Sequence, residues 1–304
     1  MRKSDFVYIS GVPNLVITYG QWITDCTASE VVLVIPGNPG LIEYYDKFMA
    51  TLYQELGGDI PVWGISHGGH SLPDSVDTLP DLNGNPSLYD LEGQTEQKLQ
   101  FVRTHVPAGS RLHLVGHSIG SQITLEVQRR LPAGRITSSF HLFGTVQRMR
   151  QSPAGRRLWL LSQYLRGLLL LLCCGVDRLD VELVRAAAAT ARFLFSPTDP
   201  WVPPENVARM RRAVPELDVV TCPHDFPHAF CRVGNLRQHT SDVRGQQQRR
   251  LPHPPSPARV KPSEDQRGLD AVHAPTEAAK VLSCHDPEVC ARGRLQRRTE
   301  SRSV

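Results

Sequence analysis

No Phe, Tyr or Trp occurs from Cys231 to the end of this 304-residue chain. A stretch without aromatics cannot bury enough apolar surface to offset the entropy of ordering it, so 231–304 is predicted to be a disordered tail rather than a second domain. Pro, Arg, Gln and Ser accumulate there instead, as in Gln246-Gln247-Gln248-Arg249-Arg250 and Pro252-His253-Pro254-Pro255. Other features are missing from the whole chain. Its seven cysteines form neither an even disulfide framework nor a C-x-x-C pair, which argues against a disulfide scaffold or a zinc module and for a reducing, cytosol-facing setting. Behind Arg2 and Lys3 there is no apolar core of the kind a secretory signal carries, so none is predicted. No internal repeat is visible.

Basic charge is scarce outside the tail. Residues 231–304 hold 14 Lys and Arg against 8 Asp and Glu, whereas 1–230 hold 20 against 22. The alkaline balance therefore belongs to a solvated tail, and no specific nucleic-acid surface is expected on the body. Long apolar runs are scarce too. The segment 158–176, opening at Leu158 and closing at Val176, is the most hydrophobic, with leucine unbroken from Leu168 to Leu172. Arg166 interrupts it, and the charge-free part beyond is about ten residues where a bilayer span needs about twenty. The segment is expected either to lie in the plane of a lipid surface or to form a buried cap helix; a span would place an arginine at the membrane centre.

What remains alternates. Apolar, largely β-branched runs at 6–9, 14–18, 31–35, 61–65, 112–115, 139–143, 192–195 and 218–221 read as strands, and segments with helical spacing fall between several of them, as at Tyr44, Phe48, Leu52 and Leu56 and across 91–104. Strand-helix alternation predicts an α/β architecture, a mostly parallel, doubly wound sheet. The run Val31-Val32-Leu33-Val34-Ile35 has the continuous hydrophobicity of a strand covered on both faces. One domain is expected over 1–230, with a hydrophobic insertion at about 147–191.

Gly116-His117-Ser118-Ile119-Gly120 follows one of these strands and precedes Ile123 and Val127 at helical spacing. This is the G-x-S-x-G nucleophile elbow in its structural context. The turn holds the serine in a strained conformation with its hydroxyl above the sheet, and the flanking glycines leave room for the neighbouring chain. A serine hydroxyl is a poor nucleophile near neutral pH, so it needs a base and a third group to orient that base. On such a sheet these follow in the order acid, then histidine, on loops after later strands. Asp199, four residues beyond Phe195, and His228, after the last strand, fit that order; His224 and Asp225 lie too close to the strand end at Thr221. Backbone donors for the oxyanion are expected at Ile119 and, from the loop after the 31–35 strand, at Asn38. His67 and His70 lack a third ligand at useful spacing, so no metal is expected, and this chemistry requires no cofactor. Cys173-Cys174, beside the leucine run, reads as a buried pair more readily than as a lipidation site.

Taken together, Ile35-Pro36-Gly37-Asn38-Pro39-Gly40, Pro61-Val62-Trp63-Gly64-Ile65-Ser66-His67, Gly93-Gln94 with Arg103-Thr104-His105-Val106-Pro107, the elbow, Asp199-Pro200-Trp201 and Pro227-His228-Ala229-Phe230 resemble the lipid droplet-associated hydrolase family of the α/β-hydrolase superfamily. The resemblance covers roughly 6–230. It implies a serine esterase of lipid esters, with sterol esters the substrate class, on droplets or the cytosolic face of the endoplasmic reticulum, attached through a hydrophobic region. The family's nucleophile, acid and base fall on Ser118, Asp199 and His228. Two departures accompany it: the cap insertion is several tens of residues shorter, and beyond Phe230 the aromatic-free tail stands where the family has a helix that covers the sheet. Acyl transfer to an alcohol or thiol, and a catalytically impaired droplet-binding or interaction protein, are the alternative readings of the same residues.

Overall fold

A computed structural model describes residues 1–74, 79–81, 84–162, 176–222 and 226–232. Eight strands form one sheet: β1 (Arg2–Ile9), β2 (Val12–Tyr19), β3 (Glu30–Ile35), β4 (Val62–Ile65), β5 (Arg111–His117), β6 (Ile136–Leu142), β7 (Ala191–Phe195) and β8 (Asp218–Thr221). Their spatial order is β1-β2-β4-β3-β5-β6-β7-β8. The β1–β2 hairpin and the β2–β4 pair are antiparallel, and every pairing from β4 to β8 is parallel. This is the α/β-hydrolase fold. Each strand expected from the sequence is present, with its ends shifted by a few residues.

The helices are α1 (Asp46–Glu55), α2 (Leu91–His105), α3 (Ile119–Arg130), α4 (Pro153–Ser162), α5 (Val181–Ala187) and α6 (Pro204–Ala213). Local chemistry starts two of them: Asp90 accepts the Gly93 amide at the head of α2, and Asp180 accepts the Leu183 amide at the head of α5. The period of two along β3 divides the core. Val31, Leu33 and Ile35 face α2 and α3, packing with Leu99, Val102, Ile123 and Val127. Val32 and Val34 face the other way, toward Phe48, Met49 and Leu52 of α1 and the later Phe226 and Phe230. Both faces of the strand are thus covered, which its unbroken hydrophobicity requires.

A third cluster joins Leu125 of α3 to Leu183 and Val184 of α5, Phe193 and Phe195 of β7, and Val207 and Met210 of α6. The final part of 147–191 is therefore a crossover helix packed into the core. Most of 158–176 lies outside the described residues, as do the tail beyond 232, the rival base His224 with Asp225, and Cys173-Cys174. Among the described residues no helix is long and apolar enough to cross a membrane.

The parallel strands end on one edge, where β3, β5 and β7 deliver the loops that bear Asn38, Ser118 and Asp199. Close packing there leaves no room for side chains at two glycines. A Cβ on Gly120 would lie 2.5 Å from the Pro36 carbonyl oxygen, and one on Gly116 would lie 2.7 Å from the Gly120 carbonyl oxygen. Because both obstacles are backbone, Gly120→Ala should destabilise the protein by about 1–3 kcal/mol, read as a lower urea midpoint with an unchanged slope.

Candidate active site

Ser118 occupies the turn between β5 and α3 with φ 52 and ψ −121, a conformation that disfavours any residue with a Cβ. Three backbone hydrogen bonds hold it there. The Ser118 amide donates to the Leu142 carbonyl (3.0 Å), and the Ser118 carbonyl accepts from Ser121 (3.0 Å) and Thr145 (3.1 Å). Two hydroxyls brace the flanking glycines: Ser121 Oγ donates to the Gly116 carbonyl and Thr124 Oγ1 to the Gly120 carbonyl. The serine is buried, and its hydroxyl faces the histidine described next.

His228 lies 110 residues from Ser118, yet its Nε2 is 2.8 Å from Ser118 Oγ. On the other side of the ring, Nδ1 is 2.7 Å from Oδ2 of Asp199. A carboxylate only accepts, so Nδ1 carries the proton and Nε2 presents its lone pair to the serine hydroxyl. Asp199 has a fully buried side chain, and its second oxygen accepts the Trp201 amide at 2.8 Å. That bond orients the carboxylate, which in turn fixes the histidine tautomer. The three residues selected from the sequence thus meet in one hydrogen-bonded line.

The expected oxyanion donors flank the serine. Ile119 opens α3, so its amide has no acceptor within the helix and lies at the helix's positive end. Across from it is the loop after β3. A Cβ on Gly37 would lie 2.7 Å from Ser118 Cβ, so this loop approaches the nucleophile as closely as a backbone can. Asn38 follows Gly37 in the same loop and is half-buried. The donor positions expected from the sequence thus lie on the two backbone segments that meet at Ser118.

With this geometry in view, similarity to other proteins becomes informative. The profile described as lipid-droplet associated hydrolase matches residues 28–184. The human lipid droplet-associated hydrolase is 30% identical over 303 residues, covering 79% of this chain and 92% of the human one. The chain belongs to the lipid droplet-associated hydrolase family. The Drosophila melanogaster member is 42% identical over 154 residues; that match covers 49% of this chain and half of the fly protein, 50%. A solved membrane phospholipase A of bacterial origin superposes with a TM-score of 0.56 at 16% identity, over 76% of this chain and 81% of its own. At that identity it shows the shared fold alone.

Two further residues of this family member stand at the site without having been singled out from the sequence. His117, the second letter of the elbow, is buried between both reactive loops. Its Nε2 lies 2.7 Å from the His228 carbonyl oxygen, so Nε2 holds the proton and donates. Its Nδ1 accepts from the Tyr45 hydroxyl at 2.5 Å, and that hydroxyl accepts the Gly37 amide at 2.9 Å. Gly37, Tyr45, His117 and His228 thus form one chain of bonds from the oxyanion loop to the base-bearing loop. The only sequence signal was a histidine beside the nucleophile, and nothing in its spacing named Tyr45. Burial first, and then the nearby His228, push the His117 pKa down to about 3; burial raises Tyr45 well above the ordinary phenol range. Both therefore stay neutral near pH 7, so His117 places no charge beside His228.

Phe230 is buried against Tyr45, Phe48, His117 and Phe143, with ring centroids 5.2–6.3 Å apart. Two residues after His228, it anchors the loop that bears that histidine. His67 is fully buried with its pKa lowered by that burial, and its ring lies 5.6 Å from that of His70, whose Nδ1 reaches the Pro39 carbonyl at 2.5 Å. These histidines buttress the Asn38 loop. Among the described residues no group of three or more His, Cys, Asp or Glu is arranged to hold a metal ion.

A histidine with a lowered folded pKa takes up a proton on unfolding. From the ordinary value of 6.5 down to about 3, the unfolded chain binds more protons, so His117 stabilises the fold fully above that window and loses its contribution as pH falls through it. Urea stability should therefore fall from pH 7 to pH 4, and His117→Gln, which retains hydrogen-bonding groups but does not titrate, should flatten the dependence. An unchanged slope in that variant would contradict the assignment.

Proposed function

We propose that this chain is a serine hydrolase of the carboxylic esters of lipids, sterol esters foremost, acting at lipid droplets or on the cytosolic face of the endoplasmic reticulum. The observation that carries the reading is the His228 ring, hydrogen-bonded to Ser118 Oγ on one side and to the Asp199 carboxylate on the other. Family membership supports the lipid setting. In this proposal residues 1–230 are the catalytic unit, the part of 147–191 that precedes α5 is its cap, and 231–304 are an appended basic tail.

Each residue then has a role. His228 Nε2 removes the Ser118 proton as Oγ attacks the ester carbonyl, and Asp199 stabilises the resulting imidazolium without taking its proton. The amides of Asn38 and Ile119 receive the negative charge on the carbonyl oxygen. Collapse of the tetrahedral adduct expels the alcohol, protonated by His228, and leaves the acyl group on Ser118. Water, deprotonated by the same Nε2, attacks that acyl group; a second collapse releases the fatty acid and restores the serine. The droplet reading also assigns the segment 158–176 to contact with the lipid surface, because its leucine run beside Arg166 is apolar enough to adsorb yet too short to span.

Hydrolysis of an emulsified cholesteryl ester should lose about 10⁴-fold or more in kcat for Ser118→Ala and His228→Ala. Asp199→Asn should fall almost as far, because the amide can donate to Nδ1 and favour the wrong tautomer. Fatty acid release should also stay independent of added alcohol or thiol acceptors. Full turnover by Ser118→Ala would remove the nucleophile assignment, and ester products formed with the acceptors would convert the reading to acyl transfer.

A further inference from the structure

A polar groove of about 440 Å³ stands beside the catalytic edge, and the proposed hydrolytic steps do not use it. Arg148, Arg156 and Arg209 line it with Ser152, Glu205 and Asn206. Three guanidiniums thus face a single carboxylate. Elsewhere on the body several arginines are matched with acids, as Arg111 with Glu30, Arg129 with Glu126, Arg130 with Glu92, Arg185 with Glu182 and Arg192 with Asp218, while Arg135 and Arg211 are held by backbone carbonyls. Among the described residues, no ion pair engages any of the three groove arginines. The groove also opens between the first turns of two ten-residue helices, α4 at Ser152 and Pro153 and α6 at Pro203 and Glu205. The positive ends of these helix dipoles add to the potential of the side chains, although in α4 the Ala154 and Gly155 amides are already bonded to the Pro200 carbonyl and to Ser152 Oγ.

Position relates this charge to the lipid surface. The Met149 amide donates to the Val176 carbonyl at 3.2 Å, which joins the two ends of the 150–175 excursion. Met149 and Val176 are buried with Ile119 and pack against Trp201. Trp201 also lies 5.8 Å from the His228 ring, and the Ala154 amide is held by the Pro200 carbonyl at 3.1 Å. The described ends of this excursion are therefore packed on Ile119 and the Asp199 loop, with the arginine groove beside them. The sequence between those ends holds the leucine run, so apolar sequence and guanidinium charge lie close together along the chain. That is the pairing a phospholipid surface selects, since acyl chains accept the leucines and the phosphates above them accept arginine forks.

We infer that the groove formed by Arg148, Arg156 and Arg209 seats the phosphate of a phospholipid headgroup and so holds the catalytic rim against a phospholipid-coated surface. The inference rests on the lipid-surface part of the proposed function and not on the hydrolytic chemistry. Glu205 limits the affinity, which keeps the attachment reversible. Soluble phosphate has the same oxygen chemistry but no acyl chains for the adjoining segment, so the occupant is a phosphate in a lipid layer.

The test uses the full chain carrying Ser118→Ala, so that no lipid is consumed and the outcome is independent of whether Ser118 is the nucleophile. Flotation with vesicles of phosphatidylcholine and phosphatidylglycerol should show partitioning that falls on the order of 100-fold when Arg148, Arg156 and Arg209 are all replaced by Gln. The three Lys replacements should recover part of it, and Glu205→Gln should strengthen it, a gain that damage to the fold cannot produce; thermal midpoints near that of the parent verify folding. Equal partitioning of the Gln variant, or no gain with Glu205→Gln, overturns the inference. So does competition by inorganic phosphate at the headgroup concentration, which would make the groove a soluble-anion site, or equally strong arginine-dependent binding of a single-stranded RNA. Loss of this partitioning in the triple variant, in a chain whose Ser118 form hydrolyses esters, separates attachment from catalysis.

Discussion

The backbone of Ser118 is the constraint on which the rest of the site depends. Its φ of 52 is unfavourable for a residue with a side chain, so neighbouring elements must hold it there. Gly116 and Gly120 let β5, α3 and the loop after β3 close to backbone contact, and bonds to Leu142, Ser121 and Thr145 fix the turn. The closeness that imposes the strain also places Gly37 against the serine and leaves the Ile119 amide at a helix end. Ser118, Gly37 and Ile119 are thus brought together by one turn.

Around that turn the molecule ties its later loops together through buried neutral groups. The Gly37, Tyr45, His117 and His228 chain links the oxyanion loop to the base loop, and Phe230 seals it with an aromatic cluster. A fully buried side chain of this size contributes about 1.5–3 kcal/mol, enough to help hold the short loop that bears His228. The lowered pKa of His117 follows from the same burial and keeps the link uncharged.

Much of this was legible from the sequence, for identifiable reasons. A strand covered on both faces must be apolar at nearly every position, so 31–35 declared itself, and 112–115 did so despite His113, which is bonded to Glu30 and Ser138. The elbow, Asp199 and His228 were legible because steric demands at the turn restrict residue types, and the topology restricts the order of acid and base. Tyr45 was hidden, since its hydroxyl matters only through a contact with His117 across 72 residues. The groove arginines were equally hidden: Arg148 and Arg156 read as ordinary surface charge until the fold brings Arg209 beside them. The crossover helix α5 was absorbed into the insertion because seven residues are too few to establish a period.

The central claim is that Ser118 carries the acyl group. Its most direct test is rapid acid quenching of the chain during turnover of a lipid ester, followed by peptide mass mapping. The account predicts an acyl-sized mass increase on the peptide containing Ser118, accumulating when deacylation is slowed and absent when His228 is replaced by Ala. Ester turnover with no adduct at Ser118, or with the acyl group on another residue, would contradict it.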